Sequence, residues 1–144
     1  MDADGQHDPS DIARLLEALT KHGSDVVIGS RMMPGGSAGA MPIYRRLGIR
    51  FFTKLTNLLF RQRLTDVMSG FRAYRGAFLK NLLPKLRERQ YYALEATLKA
   101  LLAGGVVSEV PIRVGPGRRS TKGSLRFLLN LIRIFIASLL TGLF

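Results

Sequence analysis

The first residues of the chain carry side chains that are well suited to bind a metal ion. Asp2 and Asp4 are separated by one residue, and Gln6 follows at the same spacing. On an extended segment these side chains point to one side, because side chains alternate along the backbone. Carboxylates suit Mg²⁺ or Mn²⁺. The spacing predicts a metal site at Asp2, Asp4 and Gln6, with Asp4 also a candidate catalytic residue. The alternative is that Asp2, Asp4 and Asp8 are ordinary acids before a helix.

A further carboxylate stands alone in a basic part of the chain. Asp66 is the only acid between Asp25 and Glu88. We interpret Asp66 as a second candidate catalytic residue, which could approach the metal or act as a base. The alternative is a buried ion pair between Asp66 and Arg72 with a purely structural role.

Basic side chains in two other segments are candidate phosphate ligands. Arg31 directly follows a predicted strand, where α/β proteins bind ligands, and its planar guanidinium suits phosphate oxygens. The alternative for Arg31 is a solvated side chain. The segment 115–124 has no regular period, and it is predicted to be an anion-binding loop or, alternatively, a basic linker on lipid headgroups. Its candidate ligands are Arg118, Arg119, Ser120 and Lys122.

The elements that must position these side chains alternate between helix and strand. Apolar residues recur at helical spacing in some segments, and β-branched residues cluster in others. This alternation predicts an α/β fold. Pro111 indicates that the last strand lies at a sheet edge. The predicted helices are 9–22, 43–60, 91–104 and a short one in 75–88 that ends near Pro84; the predicted strands are 25–30, 71–74 and 106–114, and 32–42 is a loop.

Composition and charge narrow the class of partner. A chain of 144 residues without cysteine forms one domain and has no disulfide or thiolate metal site. The net charge is +12, although the first 25 residues hold six acids and only two basic residues. The basic remainder favours phosphate-bearing partners, such as a diphosphate substrate or an anionic membrane surface. Nucleic acid is disfavoured, because basic and aromatic residues rarely interleave and tryptophan is absent.

Two segments have the pattern of helices at a membrane surface. In 43–60, basic residues accompany an apolar side formed by Ile43, Leu47, Phe51, Leu55 and Leu58. This pattern fits a membrane-surface helix or an ordinary domain helix.

The second such segment, 125–144, is an apolar stretch of 20 residues. It is predicted to be an interfacial or transmembrane helix, with Arg133 unfavourable at mid-membrane. We expect its first half to be interfacial and its second half to enter the membrane. Basic residues before it favour the cytoplasmic face.

The order of the motifs resembles one enzyme family. The string Asp-Ala-Asp-Gly-Gln-His-Asp-Pro at 2–9 resembles the metal-binding motif of family 2 glycosyltransferases with the GT-A fold. The resemblance is to the branch that acts on dolichyl or polyprenyl phosphate, as mannosyl- or glucosyltransferases. Segments 29–31 (Gly-Ser-Arg), 66–72 (Asp-Val-Met-Ser-Gly-Phe-Arg) and 109–112 (Glu-Val-Pro-Ile) follow in the expected order, so the resemblance covers nearly the whole chain.

The resemblance implies a reaction and further site residues. It implies inverting transfer of a hexose from a nucleotide-diphosphate sugar to a polyprenyl phosphate, dependent on Mg²⁺ or Mn²⁺. It assigns Arg31 to phosphate binding, matches Arg45 to an arginine near the acceptor phosphate, and makes Arg72 a further candidate for substrate binding. Ile49 stands where the family has a serine, which puts the acceptor identity in doubt.

The resemblance also implies an incomplete domain. The family has a nucleotide-binding half before the Asp-x-Asp motif, so this chain is expected to be the C-terminal part of a GT-A (Rossmann-like) domain. We divide it into a partial catalytic domain (1–114), the basic phosphate-binding loop (115–124) and the membrane-associated helix (125–144). The alternatives are a non-catalytic membrane-binding fragment and a nucleic-acid-binding module. The sequence indicates no oligomeric state.

Overall fold

The chain folds as a small mixed sheet with helices packed around it. A computed structural model describes residues 7–39, 41–89, 91–115 and 124–142. The predicted α/β class is confirmed, with elements in the predicted order. The elements are α1 (Asp11–Lys21), β1 (Val26–Ser30), α2 (Ile43–Phe60), β2 (Arg72–Tyr74), α3 (Gly76–Leu82), α4 (Tyr92–Leu102), β3 (Val107–Pro111) and α5 (Ser124–Gly142).

Strand β1 is the centre of the described sheet. It pairs antiparallel with β2 and parallel with β3, and all five of its residues are buried. Burial on both faces explains why its sequence is a continuous β-branched run without polar alternation. In the parallel ladder, Ile28 is level with Glu109 and Ser30 is level with Pro111. The edge position that Pro111 predicted is therefore confirmed within this sheet.

Helix α2 has the predicted bounds, but it packs through a different face. Of the apolar side expected to be buried in an ordinary domain helix, only Leu55 is partly buried, whereas the other four residues are exposed. The buried residues are instead Ile49, Phe52, Thr53 and Thr56. The hydroxyl of Thr56 donates to the carbonyl of Phe52 at 2.8 Å, so threonine is satisfied inside the core.

The largest apolar core lies between α2, α4 and α5. Phe52, Leu94, Leu98, Leu131 and Ile134 are its most buried large members. Leu94 and Leu98 confirm the predicted apolar side of α4. Among the described helices, α5 included, none is both long and apolar enough to cross a membrane.

Prolines and turns account for the ends of several elements. The short helix predicted in 75–88 ends at Leu82, close to the predicted end near Pro84, which lies in the tighter 3₁₀ turn Leu83–Lys85. Helix α1 begins at Asp11, two residues later than predicted, after a turn in which the Asp8 carboxylate accepts the Ser10 amide at 2.9 Å. Gly23 and Gly104 end their helices with positive φ, as predicted.

Candidate functional site

The carboxyl end of β1 carries an ion pair between two predicted site residues. The Asp66 carboxylate accepts Nε of Arg31 at 2.7 Å and Nη2 at 3.0 Å, and it also lies 3.3 Å from the Arg31 amide. The Asp66 side chain is 0% exposed and that of Arg31 is 16% exposed. This bidentate geometry fixes the plane of the guanidinium. The arrangement can therefore present a pre-oriented cation to a phosphate.

The segment before Asp66 is fixed by side chains from α2 and β3. The side-chain amide of Asn57 forms two hydrogen bonds with the backbone of Leu64. It donates to the Leu64 carbonyl at 2.7 Å and accepts the Leu64 N–H at 2.9 Å. The Glu109 carboxylate accepts the Thr65 amide at 2.7 Å and the Asp66 amide at 2.8 Å. Because residues 62–66 are neither helix nor strand, these bonds set the position of Asp66.

Glu109 sits in an environment that disfavours its charge. Burial is the largest influence and raises the pKa of the Glu109 carboxyl above its usual range. The hydrogen bonds from Thr65 and Asp66 lower it in part, and the nearby Asp66 carboxylate raises it again. Buried groups with a perturbed pKa cluster at functional sites, so Glu109 is a candidate for a positioning role.

Arg72 does not form the predicted structural ion pair with Asp66. Its Nε donates to the carbonyl of Ser69 at 2.6 Å, and its Nη2 donates to the carbonyl of Val67 at 2.7 Å. The guanidinium thus stabilises the turn that follows Asp66. Asp66 binds Arg31 instead, because the two residues meet at the end of β1 although they are 35 positions apart. Substrate binding by Arg72 stays a prediction.

Arg45 lies against α5 in this structure. Its guanidinium carbon is 5.7 Å from the ring centroid of Phe127, a distance at which a cation attracts an aromatic face. Arg31 and Asp66 meet at the end of β1, whereas Arg45 lies on α2 and its described contact is with Phe127 of α5. Its predicted role at an acceptor phosphate stays a prediction.

Seven predicted side chains lie outside the described residues. They are the metal ligands Asp2, Asp4 and Gln6 and the phosphate ligands Arg118, Arg119, Ser120 and Lys122. These assignments stay predictions. Within the part of the chain that the structure covers, there is no group of three or more His, Asp or Glu residues that could hold a metal ion.

The chain next to the predicted metal ligands is located beside β1. His7, which follows Gln6, stacks on Phe71 with ring centroids 4.7 Å apart and pairs with Val114 in an isolated bridge. The carbonyl of Phe71 accepts the amide of Gly29 at 2.8 Å. His7 therefore lies near the carboxyl end of β1, because Phe71, on which it stacks, is bonded to Gly29, two residues before Arg31.

Three residues of this site were not predicted as site residues. They are Ser30, Thr65 and Glu109, which are hydrogen-bonded in series, Ser30 to Thr65 and Thr65 to Glu109, beside the Arg31–Asp66 pair. Two signals were available in the sequence. Glu109 is an acid inside a predicted strand, and Thr65 precedes the isolated Asp66.

Comparisons with known proteins agree on one family. The model of the family described as glycosyl transferase family 2 matches residues 1–83. The undecaprenyl-phosphate mannosyltransferase of Micrococcus luteus is 35% identical over 114 residues, which are 78% of this chain and 46% of that protein. The UDP-N-acetylglucosamine–dolichyl-phosphate N-acetylglucosaminyltransferase of Methanococcus voltae is 34% identical over 113 residues, which are 78% of this chain and 45% of that protein.

A third relative matches over a longer part of the chain. The dolichol-phosphate mannosyltransferase of Pyrococcus furiosus is 33% identical over 135 residues, which are 88% of this chain and 36% of that protein. The chain thus spans less than half the length of these three relatives. The names of these relatives differ in the sugar and agree on a polyprenyl-type phosphate.

Proposed function

Because this chain belongs to glycosyltransferase family 2, we propose that the protein transfers a hexose from a nucleotide-diphosphate sugar to a polyprenyl phosphate. The observation that carries the proposal is the Arg31–Asp66 pair at the carboxyl end of β1. Ligands of α/β sheets bind at this edge, and both substrates bear phosphates. The names of the relatives support a lipid-phosphate acceptor, while their differing sugars leave the hexose open.

The electrostatics of Arg31 suit this role. Asp66 takes Nε and Nη2, so Nη1 lies outside the bidentate pair and is the nitrogen through which a phosphate would be bound. A pre-oriented guanidinium loses little conformational entropy when it binds an oxyanion. Arg31 thereby orients a phosphate without rearrangement of the buried carboxylate.

The reaction needs no strong base in this scheme. A phosphate oxygen of the acceptor, already anionic, forms a bond to the anomeric carbon of the sugar. The bond from that carbon to the nucleotide diphosphate breaks on the opposite face, so the configuration inverts. The protein contributes alignment and charge compensation, which are the main sources of rate in transfer reactions of this kind.

The proposed metal ligands are Asp2, Asp4 and Gln6. Their oxygen donors fit Mg²⁺ or Mn²⁺, and the neighbouring His7 lies at the same end of β1 as Arg31. A divalent cation bound there would neutralise charge that develops on the leaving diphosphate. The local net charge supports this assignment, because acids outnumber basic residues in the first 25 positions.

Substitution of Asp4 tests the metal assignment. In the protein as its gene encodes it, Asp4→Asn is expected to lower metal-dependent sugar transfer by at least about a thousandfold, because charge stabilisation of a leaving group contributes several kcal/mol. The assay follows transfer from a labelled nucleotide sugar to a polyprenyl phosphate across a Mn²⁺ and Mg²⁺ titration. The matched control is Asp8→Asn, which retains the oxygen that accepts the Ser10 amide. Equal activity in the two variants would exclude Asp4 as a ligand.

We further propose that α2 and α5 bind an anionic membrane surface. Leu47 and Phe51 of α2 are 56% and 57% exposed, and Leu129 and Ile136 of α5 are exposed as well. The two helices are adjacent, since Phe52 and Phe135 have ring centroids 5.7 Å apart. Exposed apolar side chains next to basic residues are typical of interfacial helices. The net charge of +12 adds attraction to anionic lipid.

Vesicle flotation tests the membrane proposal. The double variant Leu47→Ser/Phe51→Ser is expected to bind vesicles containing phosphatidylglycerol at least about tenfold more weakly, because it removes two apolar side chains from the contact. The matched control is Ile12→Ser/Leu16→Ser on α1, which also removes two exposed apolar side chains. Equal loss in both variants, or no loss in either, would contradict α2 as a membrane contact. Normal flotation without any sugar transfer would favour the non-catalytic alternative.

A further inference from the structure

Glu109 binds Thr65 and Asp66 through both oxygens of its carboxylate. Its Oε2 accepts the amide and the hydroxyl of Thr65, each at 2.7 Å. Its Oε1 accepts the amide of Asp66 at 2.8 Å. Three donors therefore converge on one side chain that β3 carries level with Ile28 of β1. This arrangement ties the irregular segment 64–69 to the sheet.

A one-way chain of hydrogen bonds extends from Glu109 to the segment after Arg31. The Thr65 hydroxyl gives its proton to Glu109, so its oxygen accepts the hydroxyl of Ser30, which lies 2.5 Å away. The oxygen of Ser30 then accepts the amides of Met32 at 3.1 Å and Met33 at 3.2 Å. Every donor in this chain has an acceptor, and the chain ends at the carboxylate.

Glu109 therefore acts on Arg31 in two ways. Through Thr65 and Ser30 it fixes the backbone on either side of Arg31. It also accepts the amide of Asp66, whose carboxylate binds the Arg31 guanidinium. We propose that Glu109 is a positioning residue for sugar transfer, which holds the Arg31 guanidinium where it binds a substrate phosphate. This proposal rests on the proposed function. Glu109 touches neither substrate nor reacting atoms and acts through Asp66 and Ser30.

The geometry explains why a carboxylate is needed. A glutamine has the same shape but only one acceptor oxygen, and its amide N–H would face the N–H of either Thr65 or Asp66. One backbone donor would then lack a partner in a largely buried site. Burial raises the pKa of the Glu109 carboxyl, and the hydrogen bonds from Thr65 and Asp66 act in the opposite direction because they stabilise the carboxylate.

Kinetics of Glu109→Gln in the protein as its gene encodes it distinguish positioning from folding. We expect the KM for one phosphate substrate to rise about tenfold, while kcat changes by less than about threefold. The two substrates are titrated separately, so the assay also identifies whether Arg31 binds the nucleotide sugar or the polyprenyl phosphate. A purely structural role would lower the folded fraction, which reduces apparent kcat and leaves both KM values unchanged. That result would overturn the proposal.

The hydroxyl chain provides a second pair of variants. Thr65→Val removes the hydroxyl at nearly constant shape and is expected to raise the same KM, whereas Thr65→Ser retains the hydroxyl and most of the affinity. In Thr65→Val/Glu109→Gln the two effects should not add, because both changes break one network. Full additivity would contradict the hydrogen-bond chain. Glu17→Gln, at an exposed carboxylate of α1, is the control for charge removal.

An NMR measurement that needs no enzymatic turnover tests this proposal independently of the proposed function. The Nε–H proton of Arg31, bound by Asp66, is expected to give a protected NMR signal that shifts and exchanges faster in Glu109→Gln, and not in Glu17→Gln. An unchanged Arg31 signal would overturn the positioning role. If the wild type transfers no sugar but the signal moves, the proposed reaction fails and the structural link between Glu109 and Arg31 stands.

Discussion

Replacing Asp66 with alanine is expected to lower the free energy of unfolding by about 3 kcal/mol and to reduce sugar transfer by at least about a hundredfold. The loss of stability follows because Arg31 would keep its charge in a largely buried site without its partner. Arg31 retains some exposure and can regain part of its hydration, which places the loss at the lower end of the range for buried pairs. Denaturant unfolding and steady-state kinetics measure the two effects.

Asp25→Ala is the matched control for this prediction. Asp25 also pairs with an arginine, Arg75, but at 3.3 Å and with both side chains more exposed than in the Arg31 pair. Its loss is expected to change stability by about 1 kcal/mol and to leave transfer unchanged. If Asp66→Ala behaved like Asp25→Ala in both assays, the pair at the end of β1 would have no role in the proposed site.

The ion pair itself shows what sequence reasoning can reach. Asp66 was identified because it is isolated in a basic stretch, and Arg31 because it follows a buried strand. The sequence could not pair them, because Arg72 is nearer in the chain and equally charged. Only the folded chain brings the end of β1 to the segment around residue 66. Local pattern therefore identified both partners, and the tertiary fold decided the pairing.

Helix α2 illustrates a different limit. Its bounds were predicted because apolar residues recur at helical spacing after the Gly- and Pro-rich loop 32–42. The sequence did not identify its packed face, because apolar residues occur on more than one side and two threonines occupy core positions. The hydroxyls of Thr53 and Thr56 find partners in the Val67 amide and the Phe52 carbonyl. Periodicity counts threonine as polar and cannot anticipate such bonds.

The hydrogen-bond chain from Glu109 was beyond sequence reasoning for a related reason. Its donors come from two separate segments, 30–33 and 65–66, and the carboxylate that accepts them comes from a third, β3. The parallel register of β1 and β3 places Glu109 level with Ile28, within reach of the segment that holds Thr65. The buried faces of the strands set this register, so the geometry of the site depends on core residues that have no role in binding or catalysis.

A second buried ion pair, in α4, lies away from the candidate site. Lys99 donates to the Glu95 carboxylate at 2.5 Å and to the carbonyl of Lys85, and both charged side chains are buried. Glu95 also accepts the amides of Arg87 at 3.0 Å and Glu88 at 2.9 Å. The pair thereby attaches the irregular segment after α3 to α4. Its loss should affect stability rather than phosphate binding.

Lys99→Met is expected to lower the free energy of unfolding by about 3 kcal/mol at neutral pH, because Glu95 would keep a buried charge without its cation. Glu95→Gln/Lys99→Met should be more stable than Lys99→Met alone, since the amide oxygen still accepts a backbone N–H and no charge remains. Denaturant unfolding of the two variants measures the difference. The exposed pair of Lys21 and Glu17 has the same spacing, and Lys21→Met is expected to change stability far less.

The loss of stability in Lys99→Met should also depend on pH, and the pKa of Glu95 determines the direction. In the wild type, burial is the largest influence and raises the pKa of Glu95, but hydrogen bonds from Lys99, Glu88 and Arg87 together hold that pKa below its usual value. The wild-type pair therefore stabilises the fold above about pH 4.5, and this contribution is lost as the pH falls through the lowered pKa. In Lys99→Met, burial prevails and the pKa rises, so the deficit relative to wild type should shrink as the pH falls from 7 towards 4. A deficit that is constant across this range would mean that lost packing of the Lys99 stem, rather than the uncompensated Glu95 charge, causes the destabilisation.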